Sequence, residues 1–333
     1  MKILVTGAAG FIGRAVVSEL CNRGYHVVAM VRRREQVSLF KDAVSVSTVV
    51  ADLAEPDSLL DAMRGGVDVV IHLAGVVWGD TSYMHSAMVD GTQNLIEVMR
   101  QTAVHHLILV SSLSVYDWSK VDDTLTESSP IGQDSAERQG AYSSAKQRQE
   151  AIARALCKEF GIHLTVLRPG GVIAPDNFDA ADLGPRLGTV QVVVSPRRQL
   201  RVVNVKHVAD ALAAACIADL PDGLAVNLVD DVSVTAWELA RRLSRVRKGC
   251  RFMLPLPYSV VMGVANLIYP VAKSLGLARF VPGILSPRRI ACRFKAVDCD
   301  ISLWRKYLPL KSNQPFSALC QNSLSSPNAE VLH

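Results

Sequence analysis

The 333-residue chain is poor in charged and aromatic side chains, which make up 20% and 6% of it. Charged residues fall below the roughly 25% typical of soluble domains, whereas hydrophobic residues reach 49%. This composition excludes a disordered chain, and 21 glycines without a strict period exclude a collagen-like one. The net charge of +5 is mild and the aromatics are few, so we expect no nucleic-acid partner.

The seven cysteines form no C-x-x-C pair, and no histidine cluster has the spacing of metal ligands. Their odd number and scattered positions predict neither a disulfide framework nor a zinc site, so no bound metal is expected. A reducing compartment, the cytoplasm, fits this use of cysteine. The apolar run within residues 1–7 is too short for the core of a signal peptide.

In the first half of the chain, short apolar runs alternate with helical patterns. The runs are rich in β-branched residues and apolar throughout, which is typical of strands buried on both faces. They predict strands at residues 2–6, 26–31, 44–50, 67–73, 105–111 and 162–167. The stretches between them predict helices at 11–23, 56–64, 83–102 and 142–160. This alternation predicts an α/β fold with a doubly wound parallel sheet.

Beyond about residue 170 the pattern is less regular. It predicts a strand at 201–205, a helix at 206–220, a strand at 225–229 and a basic helix at 236–248.

The first strand runs directly into a glycine-rich turn and a helix. A pyrophosphate needs glycine where the chain turns tightly, where backbone approaches the ligand and where helix meets strand. The helix N-terminus adds unpaired N–H groups and the positive end of the helix dipole. The turn therefore predicts a phosphate-binding loop made of Gly7, Gly10, Phe11, Ile12 and Gly13.

Four further segments follow in order at predicted strand ends or at the start of a helix: Ala51-Asp52-Leu53, His72-Leu73-Ala74-Gly75, Ser111-Ser112-Leu113-Ser114-Val115-Tyr116 and Tyr142-Ser143-Ser144-Ala145-Lys146. With the glycine turn they make the chain similar to the extended short-chain dehydrogenase/reductases. That family contains nucleotide-sugar epimerases, dihydroflavonol reductases and 3β-hydroxysteroid dehydrogenases. The resemblance covers about residues 1–230.

The resemblance implies two domains. Residues 1–173 and 199–232 would form a Rossmann NAD(P)-binding domain. Residues 174–198 and 233–310 would form a smaller, mostly helical substrate-binding region, and the polar tail at 311–333 would be flexible.

The resemblance also implies which residues surround the cofactor. Asp52 and Leu53 would lie at the adenine. The rest of the cofactor would be lined by the end of the fourth predicted strand, with Leu73, Ala74 and Gly75, and by the segment after the sixth, with Pro169 and Val172.

The end of the second predicted strand bears on the choice of cofactor. NAD-dependent relatives usually carry an acid there for the ribose hydroxyls, whereas this chain has Arg32, and no acid comes before Glu35. Arg32 would pair with a 2′-phosphate, and Arg14 adds positive charge nearby. The sequence therefore favours NADP(H) over NAD(H). The alternative interpretation of Arg32 to Arg34 is a solvated surface loop.

Tyr142 and Lys146 are spaced i, i+4 and therefore share one helix face. An adjacent ammonium should lower the pKa of the phenol toward the range useful for proton transfer. In the family, the residue matching Lys146 also holds the nicotinamide ribose. Ser112 matches the family's catalytic hydroxyl, with Ser114 as the competitor. We expect Tyr142 to exchange a proton with the substrate oxygen during hydride transfer.

Three positions depart from the nucleotide-sugar members of the family. Those members usually carry Asn at the position of Gly171 and Arg at that of Leu200. Met88 replaces a familiar Asn and cannot hydrogen-bond strongly. These departures disfavour a sugar nucleotide, although a small register shift would restore an arginine, Arg201.

Residues 252–272 contain no charge and are long enough to span a bilayer. Pro255, Pro257 and Pro270 interrupt the stretch, which makes a core or pocket-covering helix the ordinary expectation. A surface segment that dips into lipid is the alternative. Basic residues at 241–251 would suit anionic headgroups, so peripheral membrane contact through 241–272 stays open.

We therefore expect an NADP(H)-dependent oxidoreductase that interconverts a secondary alcohol and a ketone on an apolar small molecule, steroid-, polyketide- or lipid-like. A nucleotide-sugar epimerase, dehydratase or 4-reductase is the alternative. A non-catalytic NADP-sensing protein is a third reading, which the intact Ser112, Tyr142 and Lys146 oppose. The family also implies a homodimer, formed here through helices 83–102 and 142–160.

Overall fold

The computed structural model describes residues 1–76, 79–132, 140–175, 177–178, 181–231, 234–246, 250–275 and 286–309. Its strands are β1 (Lys2–Thr6), β2 (His26–Val31), β3 (Val46–Val50), β4 (Val69–His72), β5 (His106–Val110), β6 (Thr124–Leu125), β7 (His163–Pro169), β8 (Gly171–Ile173), β9 (Arg186–Leu187), β10 (Val190–Val194), β11 (Val202–Asn204), β12 (Ala225–Leu228), β13 (Phe252–Leu256) and β14 (Asp298–Cys299).

The α-helices are α1 (Phe11–Asn22), α2 (Pro56–Met63), α3 (Thr81–His85), α4 (Gly91–Gln101), α5 (Ala141–Phe160), α6 (Val205–Ala215), α7 (Ala236–Val246), α8 (Tyr258–Ser274), α9 (Pro287–Phe294) and α10 (Ser302–Tyr307). A π-helical turn, Ser86–Asp90, joins α3 to α4.

Seven strands form one parallel sheet in the order β12-β7-β5-β4-β1-β2-β3. This arrangement confirms the predicted doubly wound Rossmann fold. The chain order reverses between β1 and β4, where Thr6 pairs with His72. Open parallel sheets bind their ligands outside the carboxyl ends of the strands at such a switch point. The fold therefore places the glycine turn after β1 next to the segment after β4.

Except at its edge strand β3, which is half-buried to exposed, the sheet is buried on both faces. On one face, residues such as Ile3 and Val5 pack against Leu20 of α1 and Leu212 of α6. On the other face, Leu4 packs in a second cluster with side chains of α2, α4 and α5. Neighbouring residues of one strand point to opposite faces. Both faces need apolar side chains, which explains why the strand sequences are apolar throughout rather than alternating.

Some predicted elements differ in extent or in partner. The strand predicted at 201–205 is β11, which pairs with β8 outside the main sheet. The helix predicted to reach residue 220 ends at Ala215. The helix predicted from residue 83 begins at Thr81, because the Asp80 carboxylate caps it by accepting a hydrogen bond from the Tyr83 N–H. The tail at 311–333 lies outside the described residues.

The charge-free stretch 252–272 forms two elements, β13 and α8, which Pro257 separates. β13 joins a small sheet in the order β13-β10-β9. One face of this sheet packs with α7 through Val193 and Met253, and the other packs with α8 and α9 through Val192 and Val194. Among the described helices, none is long and apolar enough to cross a membrane.

The sequence predicts a core or pocket-covering helix for this stretch. Only its second part, α8, is helical, and of the residues of α8 Ala265 alone is buried, so α8 is not a core helix.

Two glycines differ in the space that they leave for a Cβ, so alanine should have opposite effects on stability at the two positions. A Cβ on Gly170 would lie 2.4 Å from the Arg201 carbonyl oxygen, whereas a Cβ on Gly263 in α8 meets nothing within 4 Å. We expect Gly170→Ala to lower the free energy of unfolding by about 1–3 kcal/mol. The control Gly263→Ala should raise it by about 0.5–1 kcal/mol through helix propensity. Urea unfolding measures both, and a neutral Gly170→Ala would contradict the packing described for β8 and β11.

Candidate functional site

The glycine turn lies at the carboxyl edge of the sheet and has no room for side chains. Gly7 has a φ of +68°, and a Cβ there would lie 2.9 Å from the Ala74 nitrogen. A Cβ on Gly13 would lie 2.2 Å from the Gly7 carbonyl oxygen. Helix α1 begins after Gly10 with no capping side chain and no acid in its first turn. This cradle, with Phe11 and Ile12 in the first turn, fits the pyrophosphate of a dinucleotide.

The segments after β3 and β4 lie beside this cradle. The Asp52 carboxylate accepts a hydrogen bond from the Ala54 N–H at 3.0 Å, and the Leu53 carbonyl accepts one from the Asn94 side chain at 2.9 Å. Ala74 N–H donates to the Thr6 hydroxyl at 3.2 Å and so ties the β4 end, with Leu73, to β1.

Gly75 follows β4, Pro169 is the last residue of β7, and Val172 lies in β8, which follows β7 in the chain. The Cβ position of Gly75 is 3.7 Å from the Lys146 Nζ. Pro169 pairs with Leu228 at the end of β7, and Val172 pairs with Val203 in β8. The residues predicted to line a cofactor therefore all lie along the carboxyl edge of the sheet or in the segments that follow it.

Arg32 is exposed at the end of β2, next to the glycine turn. The Ala8 N–H of the turn donates to the Met30 carbonyl at 3.4 Å, two residues before Arg32. The Arg32 guanidinium donates to the Tyr83 hydroxyl at 3.3 Å, and this hydrogen bond raises the pKa of Arg32. Tyr83 was not a predicted site residue, because the contact joins elements 51 residues apart.

Ser112 and Tyr142 come together from β5 and α5. Ser112 follows β5 and caps the next turn, its hydroxyl accepting a hydrogen bond from the Ser114 N–H at 3.1 Å. Burial raises the pKa of Tyr142 to about 12, and a hydrogen bond with Ser112 opposes this shift. Tyr142 is therefore a neutral phenol at physiological pH, with the Ser112 hydroxyl beside it. Among the described residues, the buried Ser114 hydroxyl has no hydrogen-bond partner.

Lys146 is buried one turn after Tyr142, and its ammonium points to the sheet. Its Nζ donates to the Val110 carbonyl at 2.8 Å and to the Gln149 side-chain oxygen at 2.9 Å. Burial lowers the pKa of Lys146 to about 8, and the charge of Glu150 acts in the opposite direction. The sequence predicts that Lys146 lowers the pKa of Tyr142. That expectation also counts on the positive charge of a bound nicotinamide; in the structure, burial raises the pKa of Tyr142, and the Ser112 hydrogen bond acts against it.

A chain of buried side chains leads from Lys146 to the glycine turn. The Gln149 amide donates to the Thr92 hydroxyl at 2.9 Å, and Thr92 is 2.8 Å from His72 Nε2. His72 Nδ1 is 2.7 Å from the Thr6 hydroxyl. Burial lowers the pKa of His72 to about 3, with a smaller contribution from the charge of Lys146. His72 is therefore neutral, as a residue within a network of hydroxyl and amide partners should be.

Gln149 is a residue that the sequence analysis missed. Its position three residues after Lys146 places both on one helix face, which is the signal that could have identified it. Met88, where nucleotide-sugar members of the family usually carry Asn, is fully buried. Its carbonyl accepts a hydrogen bond from the Thr92 hydroxyl at 2.6 Å, and its side chain packs with Met84 and Ala145.

A second buried cluster supports the end of β5. The Glu150 carboxylate accepts hydrogen bonds from the Ser111 hydroxyl at 2.9 Å and from Arg168 Nε at 3.1 Å. Burial alone would raise the pKa of Glu150, but hydrogen bonds and charge from Arg168 and Arg154 hold it below its ordinary value. Arg168 also donates to the Tyr116 hydroxyl at 2.7 Å. This ion-pair cluster anchors both chain segments that flank Ser112.

Comparisons with known proteins agree with this arrangement. The model of the NAD dependent epimerase/dehydratase family matches residues 3–186. The 2-alkyl-3-oxoalkanoate reductase of Stenotrophomonas maltophilia (strain K279a) is 33% identical over 192 residues, which cover 56% of this chain and 54% of that protein. The chain thus spans about half the length of that relative.

Two further matches cover more of the chain. The dTDP-L-rhamnose 4-epimerase of Burkholderia thailandensis is 27% identical over 293 residues, with 71% of this chain and 80% of that protein covered. The crystal structure of gox2253 superposes with a TM-score of 0.76 at 23% identity and covers 97% of this chain and 96% of its own. The latter shows a shared fold.

The neutral state of His72 has a consequence for acid stability. The pKa of His72 falls from 6.5 to about 3 in the native chain, so the unfolded chain takes up a proton between these values that the native chain does not. The free energy of unfolding therefore falls as the pH drops from 6.5 toward 3, by about 1.4 kcal/mol per pH unit for one such group. His72→Asn should reduce the slope by this amount in urea unfolding across that range.

The control is His26→Asn, since His26 is an exposed histidine on β2. It should keep the slope of the parent chain. An unchanged slope in His72→Asn would mean that native His72 accepts a proton as readily as an unfolded one.

Proposed function

The chain belongs to the NAD-dependent epimerase/dehydratase family, and from that premise we propose that it is an NADP(H)-dependent oxidoreductase that interconverts a ketone and a secondary alcohol on an apolar substrate. It is an enzyme of the extended short-chain dehydrogenase/reductase type. The observation that carries the proposal is the convergence of Ser112, Tyr142 and Lys146 at the carboxyl edge of the sheet beside the glycine cradle.

The dinucleotide would supply a hydride from its nicotinamide when bound. The residues around the glycine turn would hold its pyrophosphate, and Lys146 would lie at the nicotinamide ribose, as in the family. Ser112 would donate a hydrogen bond to the substrate carbonyl and hold it beside Tyr142. The Tyr142 phenol would then give its proton to the oxygen as the ketone becomes an alcohol.

Tyr142 is in the protonation state that serves ketone reduction. Burial raises its pKa to about 12, so it is present as the phenol, the form that donates a proton to a ketone oxygen. The reverse reaction uses the same residues, so assays of reduction and of oxidation both report on the site.

The surroundings of Arg32 support NADPH over NADH. Arg32 is exposed at the end of β2, where the 2′-phosphate of an adenosine ribose would lie, and its guanidinium is oriented by Tyr83. The end of β2 itself carries no acid: Glu35 forms an ion pair with Arg33 at 3.4 Å, and Asp52, after the neighbouring strand β3, adds a negative charge that, after the Tyr83 hydrogen bond, also raises the pKa of Arg32. A guanidinium can bind a phosphate through charge-assisted hydrogen bonds.

The position of Arg201 supports an apolar substrate over a sugar nucleotide. Its guanidinium donates to the carbonyls of Lys295 and Cys292 at 2.7 and 2.8 Å and stacks over Trp118 at 4.4 Å. Leu200, at the position where sugar-nucleotide members carry Arg, is buried in an apolar cluster. Arg201 is thus held by two backbone carbonyls and the Trp118 ring, which supports the proposal that it does not serve to bind a sugar diphosphate.

The name of the reductase relative, which denotes an alkylated 3-oxo acid, agrees with an apolar ketone. A nucleotide-sugar epimerase remains the alternative, supported by the epimerase relative.

Replacement of Tyr142 tests the mechanism. The parent chain should oxidise NADPH in the presence of a long-chain 2-alkyl-3-oxo acid or a related hydrophobic ketone. Tyr142→Phe should lower kcat by about a hundredfold or more, because the proton donor is lost, while the Kd for NADPH stays close to that of the parent. Intact turnover in Tyr142→Phe would disprove the assignment, and turnover of only UDP- or dTDP-sugars by the parent chain would establish the alternative function.

Replacement of Arg32 tests the cofactor choice. Arg32→Ala should weaken NADPH binding about tenfold, the loss of one charge-assisted interaction, and leave NADH binding nearly unchanged. Fluorescence titration of either cofactor measures this. Arg33→Ala is the matched control, since Arg33 is equally basic and exposed but pairs with Glu35. Tighter binding of NADH than of NADPH by the parent chain would refute the role of Arg32.

A further inference from the structure

We propose that α8 and the edge strand β13 form a surface that docks on an anionic lipid bilayer. The surface consists of an apolar stripe on α8 and two apolar side chains on β13. The stripe contains Val260, Val264, Leu267, Ile268, Val271 and, just after the helix, Leu275.

The stripe is a continuous solvent-facing row. Its members are spaced by four, three, one, three and four residues, which keeps them on one side of a helix. Their exposed fractions range from 43% at Ile268 to 75% at Leu267. The opposite side of α8 packs into the protein through Val261, Met262 and Ala265. A surface helix of a globular protein normally has a polar outer face, whereas on α8 the polar residues Ser259, Asn266 and Lys273 are confined to a third side, away from the stripe and from the packed side.

The small sheet extends this apolar surface. Phe252 and Leu254 on β13 are 65% and 51% exposed. They share a sheet face with Leu256, which packs in the cluster that contains Ala265 of α8. Across the sheet, Phe252 pairs with Val190, and Val190 pairs with Leu187, which is 64% exposed. An exposed apolar set of this size marks an interaction site rather than scattered surface residues.

The charge of the region identifies the kind of partner. Residues 239–297 contain twelve Lys and Arg and no Asp or Glu, although the whole chain has a net charge of only +5. Arg251 is exposed next to Phe252, and Lys273 is exposed near the end of the stripe. Arg241 and Arg245 are exposed on α7, on the other side of the small sheet, so β13 lies between the two basic groups. Exposed apolar residues flanked by cations match a bilayer that carries anionic headgroups.

The same charge argues against a second copy of the chain. A two-fold dimer places the same patch against itself, so the basic residues of one copy would face those of the other. The segment 239–297 has no acid of its own; the acids beside its basic residues are Glu238, next to Arg241, and Asp182, which pairs with Arg293, and neither is next to Arg251 or Lys273 in the chain. The expected homodimer helices α4 and α5 lie elsewhere in the fold, on the main sheet.

The docking surface is one helix away from the candidate active site. Met262, on the packed side of α8, contacts the cluster that includes Leu113 and Trp118, which follow Ser112 in the chain. Bilayer docking itself does not depend on the proposed reaction.

Co-sedimentation with vesicles tests the proposal on the full chain. We expect binding to vesicles of equal parts phosphatidylcholine and phosphatidylglycerol and much weaker binding to phosphatidylcholine alone. The double variant Leu267→Ser with Ile268→Ser should bind the mixed vesicles at least about tenfold more weakly, because both side chains leave water only when inserted. Leu39→Ser is the matched control, since Leu39 is 50% exposed outside this surface and should leave binding unchanged.

A charge-reversal variant tests whether vesicle binding needs the basic residues. Arg251→Glu with Lys273→Glu should weaken binding to the mixed vesicles and should not alter elution in size-exclusion chromatography. The proposal is overturned if the parent chain sediments with neither vesicle, if it prefers neutral vesicles, or if the Leu267 and Ile268 double variant changes the oligomeric state instead.

Reduction of a water-soluble ketone by the double variant separates this inference from the proposed function. Retained turnover with lost vesicle binding supports docking. Lost turnover in both parent and variant would count against the reaction alone.

Discussion

The burial of the Lys146 ammonium is the constraint on which the site depends. A buried cation is costly unless hydrogen bonds compensate for its lost hydration. The compensation comes from the end of β5, through Val110, and from the next turn of α5, through Gln149. Gln149 is itself held by Thr92 on α4, and Thr92 lies beside His72 at the end of β4. The Lys146 ammonium therefore keeps these hydrogen bonds only when the sheet, α4 and α5 are correctly packed against one another.

The parts of the fold that the sequence predicts are those that depend on local pattern. Most strands of the main sheet are apolar on both faces, and strands alternate with helices along the chain. A parallel sheet could therefore be inferred. The glycine turn was also predictable, because Gly7 and Gly13 occupy positions that no side chain could fill. The i, i+4 spacing of Tyr142 and Lys146 was enough to place both on one face of α5.

The features that were missed depend on contacts between distant residues. Tyr83 meets Arg32, and Gln149 meets Thr92, only after the sheet has brought their helices together. The pairing of β13 with β10 likewise joins segments about sixty residues apart. Periodicity could not reveal which side of α8 faces solvent, because the stripe and the packed side are both apolar.

The chain of hydrogen bonds from Lys146 to Thr6 joins parts of the polypeptide made at very different times. Thr6 leaves the ribosome long before Gln149, and the network closes only when β1, β4, α4 and α5 have all assembled. Truncation of the chain before α5 would therefore remove both the ammonium and the amide that hold this network, even though Thr6, His72 and Thr92 would all be present.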